Sequence, residues 1–120
     1  MKEQETVIVA LCEGRHQMPT DQYIFPHEVN PMDFDGMNKT VGEFLEERVG
    51  IKMHCQEALN QMYEEDVPCY AGERKLVVYV TGLSAALAAV IRGCALNGVP
   101  LTLMHYNRDT NDYAEQVIFA

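Results

Sequence analysis

Residues 75–106 constrain the fold more than any other part of the sequence. KLVVYV (75–80) and LTLMHY (101–106) are continuous apolar runs of the kind that form buried strands. Between them, SAALAAVIRGCALN (84–97) is rich in the strong helix formers Ala and Leu, and Asn97-Gly98 provides a helix stop. A strand, a helix and a strand with short links close right-handed with the strands parallel. The chain is therefore expected to contain a βαβ unit.

Three shorter segments extend this unit into a sheet. TVIVAL (6–11) is apolar and β-branched, which predicts a first strand buried on both faces. YIFP (23–26) predicts a short edge strand, because its proline cannot continue the pairing. YAEQVIF (113–119) alternates and follows the turn-forming sequence NRDTND, which predicts an antiparallel return strand.

Two helices are predicted between the second strand and residue 75. Thr40 and Glu43 form a T-x-x-E capping box that predicts a helix start, and Gly50 predicts the end of that helix. A second amphipathic stripe covers residues 54–65. We expect an α/β fold: a small three-layer Rossmann-like sandwich, with a mainly parallel sheet and an antiparallel C-terminal hairpin edge. The chain is expected to form a single domain over residues 1–120.

The charge balance limits the partners. The chain carries 18 acidic and 9 basic residues, a formal net charge of −9. Such a surface repels phosphate backbones, so direct binding of DNA or RNA is not expected. No apolar run approaches the roughly 18 residues of a membrane span, so no membrane partner is expected. The amino terminus lacks a signal-peptide pattern and the four cysteines form no C-x-x-C pair. Free thiols and a cytoplasmic location are the expectation.

The carboxyl ends of the predicted parallel strands mark the candidate site, because ligands of open α/β sheets bind beyond those ends. Three parallel strands would bring their ends to one rim. The candidate ligand-binding residues are Gly14, Arg15 and His16 after the first strand, Thr81, Gly82, Leu83 and Ser84 after the middle strand, and His105, Tyr106 and Arg108 at the end of the third.

The turn from Thr81 to Ser84 has the clearest chemistry of these segments. A helix begins there, and its first N–H groups have no partner within the helix and attract anions. Gly82 lets a ligand approach the backbone, while Thr81 or Ser84 adds a hydroxyl. Neither a P-loop nor the dinucleotide fingerprint G-x-G-x-x-G is present. The sequence therefore predicts a phosphate-binding turn, and it predicts no cofactor.

Basic and aromatic side chains on the same rim suggest what else would contact the ligand. Arg15 and Arg108 can make forked contacts to phosphate oxygens. The alternative for Arg108 is an ion pair with a neighbouring aspartate, Asp109 or Asp112. His16, His105 and Tyr106 would then contact a base or a ribose, which predicts a phosphorylated, nucleotide-like small molecule as the ligand.

Catalysis at this rim is an open alternative. His16 or His105 would act as general acid or base in cleaving a phosphodiester, and the helix terminus would stabilise the developing charge. Cys12 as a nucleophile, with His16 or His105 as its base, is a further alternative, but its place directly after a buried strand favours an inert thiol. The spacing of Cys12, His16, His54 and Cys55 fits no zinc-finger pattern, so no metal site is expected.

VVYVTGLSAALAAVI (77–91) resembles the small CRISPR-associated Rossmann-fold (CARF) sensor domains, in which a Thr- or Ser-Gly turn joins an apolar strand to an Ala/Leu-rich helix. The resemblance covers residues 75–108. It implies a homodimer that binds a cyclic or linear oligonucleotide second messenger across its two-fold axis. Thr81, Gly82 and Ser84 would be the ligand turn and residues 14–16 the second contact. A stand-alone binder would be a sensor or regulator, a ring nuclease, or a phage protein that sequesters the signal.

Two further expectations concern protein partners. On the last strand, Tyr113, Glu115, Val117 and Phe119 alternate on one face and could form a dimer surface, although an edge covered within the monomer is equally consistent. The strongly acidic surface also suits an interaction or inhibitor module that binds a basic protein, such as a nucleic-acid-binding protein.

Overall fold

The computed structural model describes residues 5–13, 19–53 and 70–120. The described strands are β1 (Thr6–Cys12), β2 (Tyr23–Phe25), β3 (Ile51–Met53), β4 (Tyr70–Gly72), β5 (Lys75–Tyr79), β6 (Leu101–Asn107) and β7 (Asp112–Phe119). The described helices are α1 (Phe34–Phe44), which continues into a π-helical turn (Leu45–Val49), and α2 (Ser84–Asn97). The helix predicted over 54–65 lies outside the described residues.

A five-stranded sheet in the order β2-β1-β5-β6-β7 organises the molecule. β1 pairs in parallel with β2 and with β5, and β5 pairs in parallel with β6. β7 returns antiparallel to β6 and forms one edge. The predicted α/β class, mainly parallel sheet and antiparallel C-terminal hairpin are confirmed, and the arrangement is compatible with a small Rossmann-like sandwich. Neither described helix combines the length and apolarity needed to cross a membrane.

Both described helices pack against the same face of the sheet, so the described residues form two layers and the third predicted layer stays a prediction. The core between them contains alternate residues of the central strands, among them Leu76 and Val78 of β5, together with apolar residues of α1 and α2. The helices approach closely at Gly93, where an added Cβ would lie 2.6 Å from Cγ1 of Val41. Only glycine fits at this contact, so the helix pair is set at a short separation.

The opposite face of the sheet, which we call the outer face, carries the residues that alternate with these core positions. In register across the strands, they include Thr6, Ile8, Ala10, Tyr23, Lys75, Val77, Tyr79, Thr102, Met104, Tyr106, Tyr113, Glu115 and Val117. Ile8, Tyr106 and Val117 of this set are 48%, 51% and 55% exposed. The outer face is thus largely apolar, and part of it meets solvent.

The first helix begins earlier than predicted. Asp33 caps it, accepting a hydrogen bond of 3.0 Å from the Gly36 amide. Thr40 lies inside the helix, where its hydroxyl donates to the Gly36 carbonyl at 2.9 Å. The prediction of a helix start at the Thr40–Glu43 capping box was wrong, because Asp33 supplies an earlier cap and Met37 extends the buried stripe by one turn.

The last strand also departs from simple alternation. Thr102 pairs with Val117, but Leu101 pairs with Phe119, so the register shifts by one residue at Ile118. Phe119 therefore lies on the helix side and packs against the core. The prediction that Phe119 shares a face with Tyr113 and Val117 was wrong for this reason.

Candidate functional site

The parallel strands bring three chain segments to one rim. Ala10 of β1, Tyr79 of β5 and Met104 of β6 are register partners across the sheet. At or beyond these partners β1 ends at Cys12, β5 at Tyr79 and β6 at Asn107, so the three carboxyl ends lie at the same edge of the sheet. The Val80 amide donates to the Met104 carbonyl at 3.0 Å, which keeps β5 beside β6 to its end. The rim inferred from the sequence therefore exists for the described residues.

The amino end of α2 opens on this rim without a cap. Leu83 is the N-cap residue and its side chain accepts no hydrogen bond, and the first turn contains no acidic residue. The amino end of α1, in contrast, is capped by Asp33. The first N–H groups of a helix lack intrahelical acceptors and carry partial positive charge. The start of α2 can therefore accept an anion.

Thr81 places an unpaired hydroxyl next to this helix start. The residue is 6% exposed, and its Oγ1 has no hydrogen-bond partner among the described residues. Leaving a buried hydroxyl unpaired costs about 1–3 kcal/mol, so nearly all buried polar groups have partners. Among the described residues, the Thr81 hydroxyl is therefore an unsatisfied buried group, and it lies three residues before an uncapped helix.

Gly82 keeps the approach to the turn open. Its backbone does not have the positive φ seen at Gly50 and Gly98, so its conformation does not require glycine. A Cβ added at Gly82 would meet nothing within 4 Å. The missing side chain therefore serves neither backbone conformation nor internal packing, but it leaves space in front of the helix terminus.

His105 and Tyr106 lie on opposite faces of the sheet, because adjacent strand residues alternate. His105 is on the helix side with Leu103, and its Nε2 lies 2.7 Å from Oε1 of Gln116. Tyr106 is on the outer face, where its ring packs edge-on against Tyr113 and its hydroxyl donates to Oδ1 of Asn111. Only His105 of this pair shares a face with α2.

The remaining predicted residues fall into three groups. Arg108 is exposed in the turn after β6, and no carboxylate of the described residues lies within ion-pair distance, Asp109 and Asp112 included. Ser84 is exposed and Leu83 half-buried at the start of α2. Gly14, Arg15 and His16 lie outside the described residues, so the predicted first-strand contribution stays a prediction.

Cys12 is placed as a core residue. It is 1% exposed, and its thiol donates to the Pro26 carbonyl at 3.4 Å. This contact suits the inert thiol expected at the end of a buried strand. Of the four residues considered for zinc, only Cys12 is described.

A groove between the two helices was not foreseen from the sequence. It has a volume of about 250 Å³ and is lined by Phe34, Asn38, Ala85, Ala88, Ala89 and Arg92. Phe34 belongs to the turn of α1 that lies before the predicted start of the helix. The signal that would have revealed the groove is the cap at Asp33, which the turn-forming sequence Asp35-Gly36 obscured.

Comparisons with protein families, with curated proteins and with solved structures found no match for this chain.

Proposed function

We propose that this protein is a cytoplasmic binder of a phosphorylated, nucleotide-like small molecule, held at the carboxyl rim of the sheet. The single observation that carries the proposal is the buried hydroxyl of Thr81, which has no partner among the described residues and lies three residues before the uncapped start of α2. Phosphate oxygens are acceptors that suit both a hydroxyl and free helix N–H groups. The resemblance to CARF domains suggests a cyclic oligonucleotide signal, with the protein acting as a sensor or a sequestering protein.

The local charge supports an anionic ligand despite the acidic chain. No acidic side chain lies in the first turn of α2, so its partial positive charge is not neutralised from within the helix. Arg108, in the turn after β6, has no ion pair among the described residues. An arginine without a carboxylate partner is able to take a second phosphate oxygen.

A nucleotide panel tests the proposal. Protein would be heated with adenosine and guanosine monophosphates, cyclic mononucleotides and cyclic oligoadenylates, and its unfolding temperature followed. A ligand at 100 times its Kd is expected to add about 2.7 kcal/mol of stability. No stabilisation by any member would contradict the proposal.

Gly82→Ala is the variant that isolates the turn. The methyl group meets open space in the protein, so the fold is expected to gain about 0.4–1 kcal/mol from reduced freedom of the unfolded chain. The same methyl group would crowd a phosphate at the helix start, so nucleotide affinity should fall at least tenfold. Gly98→Ala is the control, because φ of +62° at Gly98 predicts lost stability without a direct effect on the turn. Unchanged nucleotide affinity in Gly82→Ala would contradict the proposed turn.

A phosphodiesterase or ring nuclease is the second candidate, and the contact between His105 and Gln116 favours it. A side-chain amide 2.7 Å from Nε2 fixes the imidazole orientation, which acid–base catalysis requires. Nucleotide turnover that is lost in His105→Ala while binding persists would support the enzyme. Nucleotide binding without turnover in the wild-type protein would favour the binding function over the enzyme.

We also propose that the protein forms a homodimer through its outer face. Parallel sheets are nearly always covered on both faces, yet Ile8, Tyr106 and Val117 are about half exposed. A five-stranded face, with strands about 4.8 Å apart, presents roughly 500 Å², and two faces reach the total of about 1,000 Å² that a specific interface needs. Lys75 and Glu115 are its charged residues, so two copies would meet without strong repulsion. A basic protein partner is the competing occupant, and salt would weaken its binding.

A further inference from the structure

We propose that the groove between α1 and α2 binds the base of the nucleotide, and that Arg92 selects guanine. This inference rests on the proposed phosphate site at the start of α2. It adds to that site a position for the base, a base preference and the residue responsible.

The groove opens directly beside the proposed phosphate site. Phe34 and Asn38 of α1 face Ala85 to Ala89 of α2, and Val41 further along α1 contacts Gly93. The two helices therefore run in the same direction, and their amino-terminal halves form the groove. Ala85 lines the groove and also belongs to the uncapped first turn of α2. A ligand with its phosphate at that turn has the groove as the adjoining apolar space.

The walls of the groove suit a flat ring. Ala85, Ala88 and Ala89 form one low wall, and the Phe34 ring stands at the other side with 56% of the residue exposed. Aromatic side chains stack on the faces of bases whatever the base sequence. The volume of about 250 Å³ lies just below the range of sites for whole drug-sized ligands, which begins near 300 Å³. One ring system fits this volume better than a complete dinucleotide.

Arg92 provides the means of discrimination. It is exposed at the end of the groove and has no ion pair with any carboxylate of the described residues. Arg92 lies seven positions after Ala85, which is about 10 Å along a helix and comparable with the span of a mononucleotide. A guanidinium donates two parallel hydrogen bonds to O6 and N7 of guanine, whereas adenine offers an amine in place of O6. The Asn38 amide both donates and accepts, so it can bond either base.

The test compares guanosine monophosphate, adenosine monophosphate and inorganic phosphate by titration calorimetry on the full chain. We expect the wild-type protein to bind guanosine monophosphate at least tenfold more tightly than adenosine monophosphate. Arg92→Gln should remove this preference and leave phosphate affinity unchanged. Arg48→Gln is the control, because Arg48 contacts Gln22 and the Phe44 ring, away from the groove. Arg48→Gln should keep the preference for guanosine monophosphate.

A second variant tests the stacking wall. Phe34→Leu should lower the affinity for both nucleotides several-fold without changing the affinity for phosphate. Because Phe34 is more than half exposed, a thermal melt should confirm that the variant folds.

The possible failures can be told apart. Equal affinity for the two nucleotides in the wild-type protein, or a preference retained in Arg92→Gln, would overturn the groove inference and leave the phosphate site standing. If neither nucleotide nor phosphate binds, the proposed function fails and the groove inference fails with it.

Discussion

At the scale of single residues, Thr81 bears most directly on function. Its hydroxyl is buried without a hydrogen-bond partner in the described part of the chain, and it precedes a helix terminus that also lacks a side-chain cap. In a site that exists only to hold the fold together, a valine of nearly the same shape would be more stable. The proposed ligand would give this hydroxyl the partner that packing among the described residues does not.

Thr81→Val tests whether the Thr81 hydroxyl serves a ligand or the fold. Removing an unpaired buried hydroxyl should leave the free energy of unfolding unchanged or raise it by about 1–3 kcal/mol. Nucleotide affinity should fall, because the ligand loses a hydrogen bond. Denaturant unfolding and calorimetry measure the two quantities, and Thr102→Val on the outer face is the control for binding. A large loss of stability in Thr81→Val would show that the hydroxyl has a structural partner.

Cys94 gives a residue-scale prediction about pH. Burial raises the pKa of its thiol from 9.0 to about 12, because desolvation disfavours the thiolate. The unfolded chain releases this proton near pH 9 and the folded chain retains it, so the stability contribution is complete below pH 9. It is lost progressively between about pH 9 and pH 12. Unfolding free energies measured across this window should fall less steeply in Cys94→Ala than in the wild-type protein. Equal slopes would show that the thiol titrates normally in the fold.

At the scale of elements, continuous apolar runs were predicted well and local irregularities were not. β1, β5, α2 and β6 follow from composition and spacing, because a buried strand or an alanine-rich helix repeats one signal along its length. The start of α1 depends on one hydrogen bond, from the Gly36 amide to Asp33. The register shift of β7 depends on one extra residue, Ile118, in the strand pairing. The short β3–β4 pair was not predicted, because three residues per strand carry too little pattern.

The cap of α1 gives the prediction at this scale. Asp33→Ala removes the acceptor for the Gly36 amide, so it should lower the free energy of unfolding by about 0.5–2 kcal/mol. Thr40→Ala is the matched control. Thr40 lies within the helix and alanine is the better helix former, so this change should cost less. Denaturant unfolding of both variants measures the two losses of stability. A larger loss of stability in Thr40→Ala would contradict Asp33 as the cap of α1.

At the scale of the whole molecule, strand direction determines how much of the site the sequence could predict. Parallel β1, β5 and β6 place their carboxyl ends on one rim, as the βαβ pattern implied. The pattern did not separate His105 from Tyr106, whose side chains point to opposite faces. It also could not place the groove, because helix–helix packing at Gly93 depends on contacts between distant segments.

The outer face provides the whole-molecule prediction. Val117→Lys places a charge on the proposed dimer surface, so it should shift sedimentation velocity profiles towards monomer over a concentration series. Leu96→Lys is the matched control, because Leu96 is 59% exposed on α2, in the helix layer. Monomer at every concentration in the wild-type protein, or equal effects of the two variants, would contradict the dimer.

The most direct test of the proposed phosphate site is a nucleotide titration followed by the backbone amide resonances of the ¹⁵N-labelled protein. If the start of α2 holds the phosphate, the largest shifts should occur at the amides of Gly82, Ser84, Ala85 and Ala86 and should saturate with the nucleotide. Amides at this turn that do not move while the nucleotide binds elsewhere, or no movement anywhere, would contradict the account.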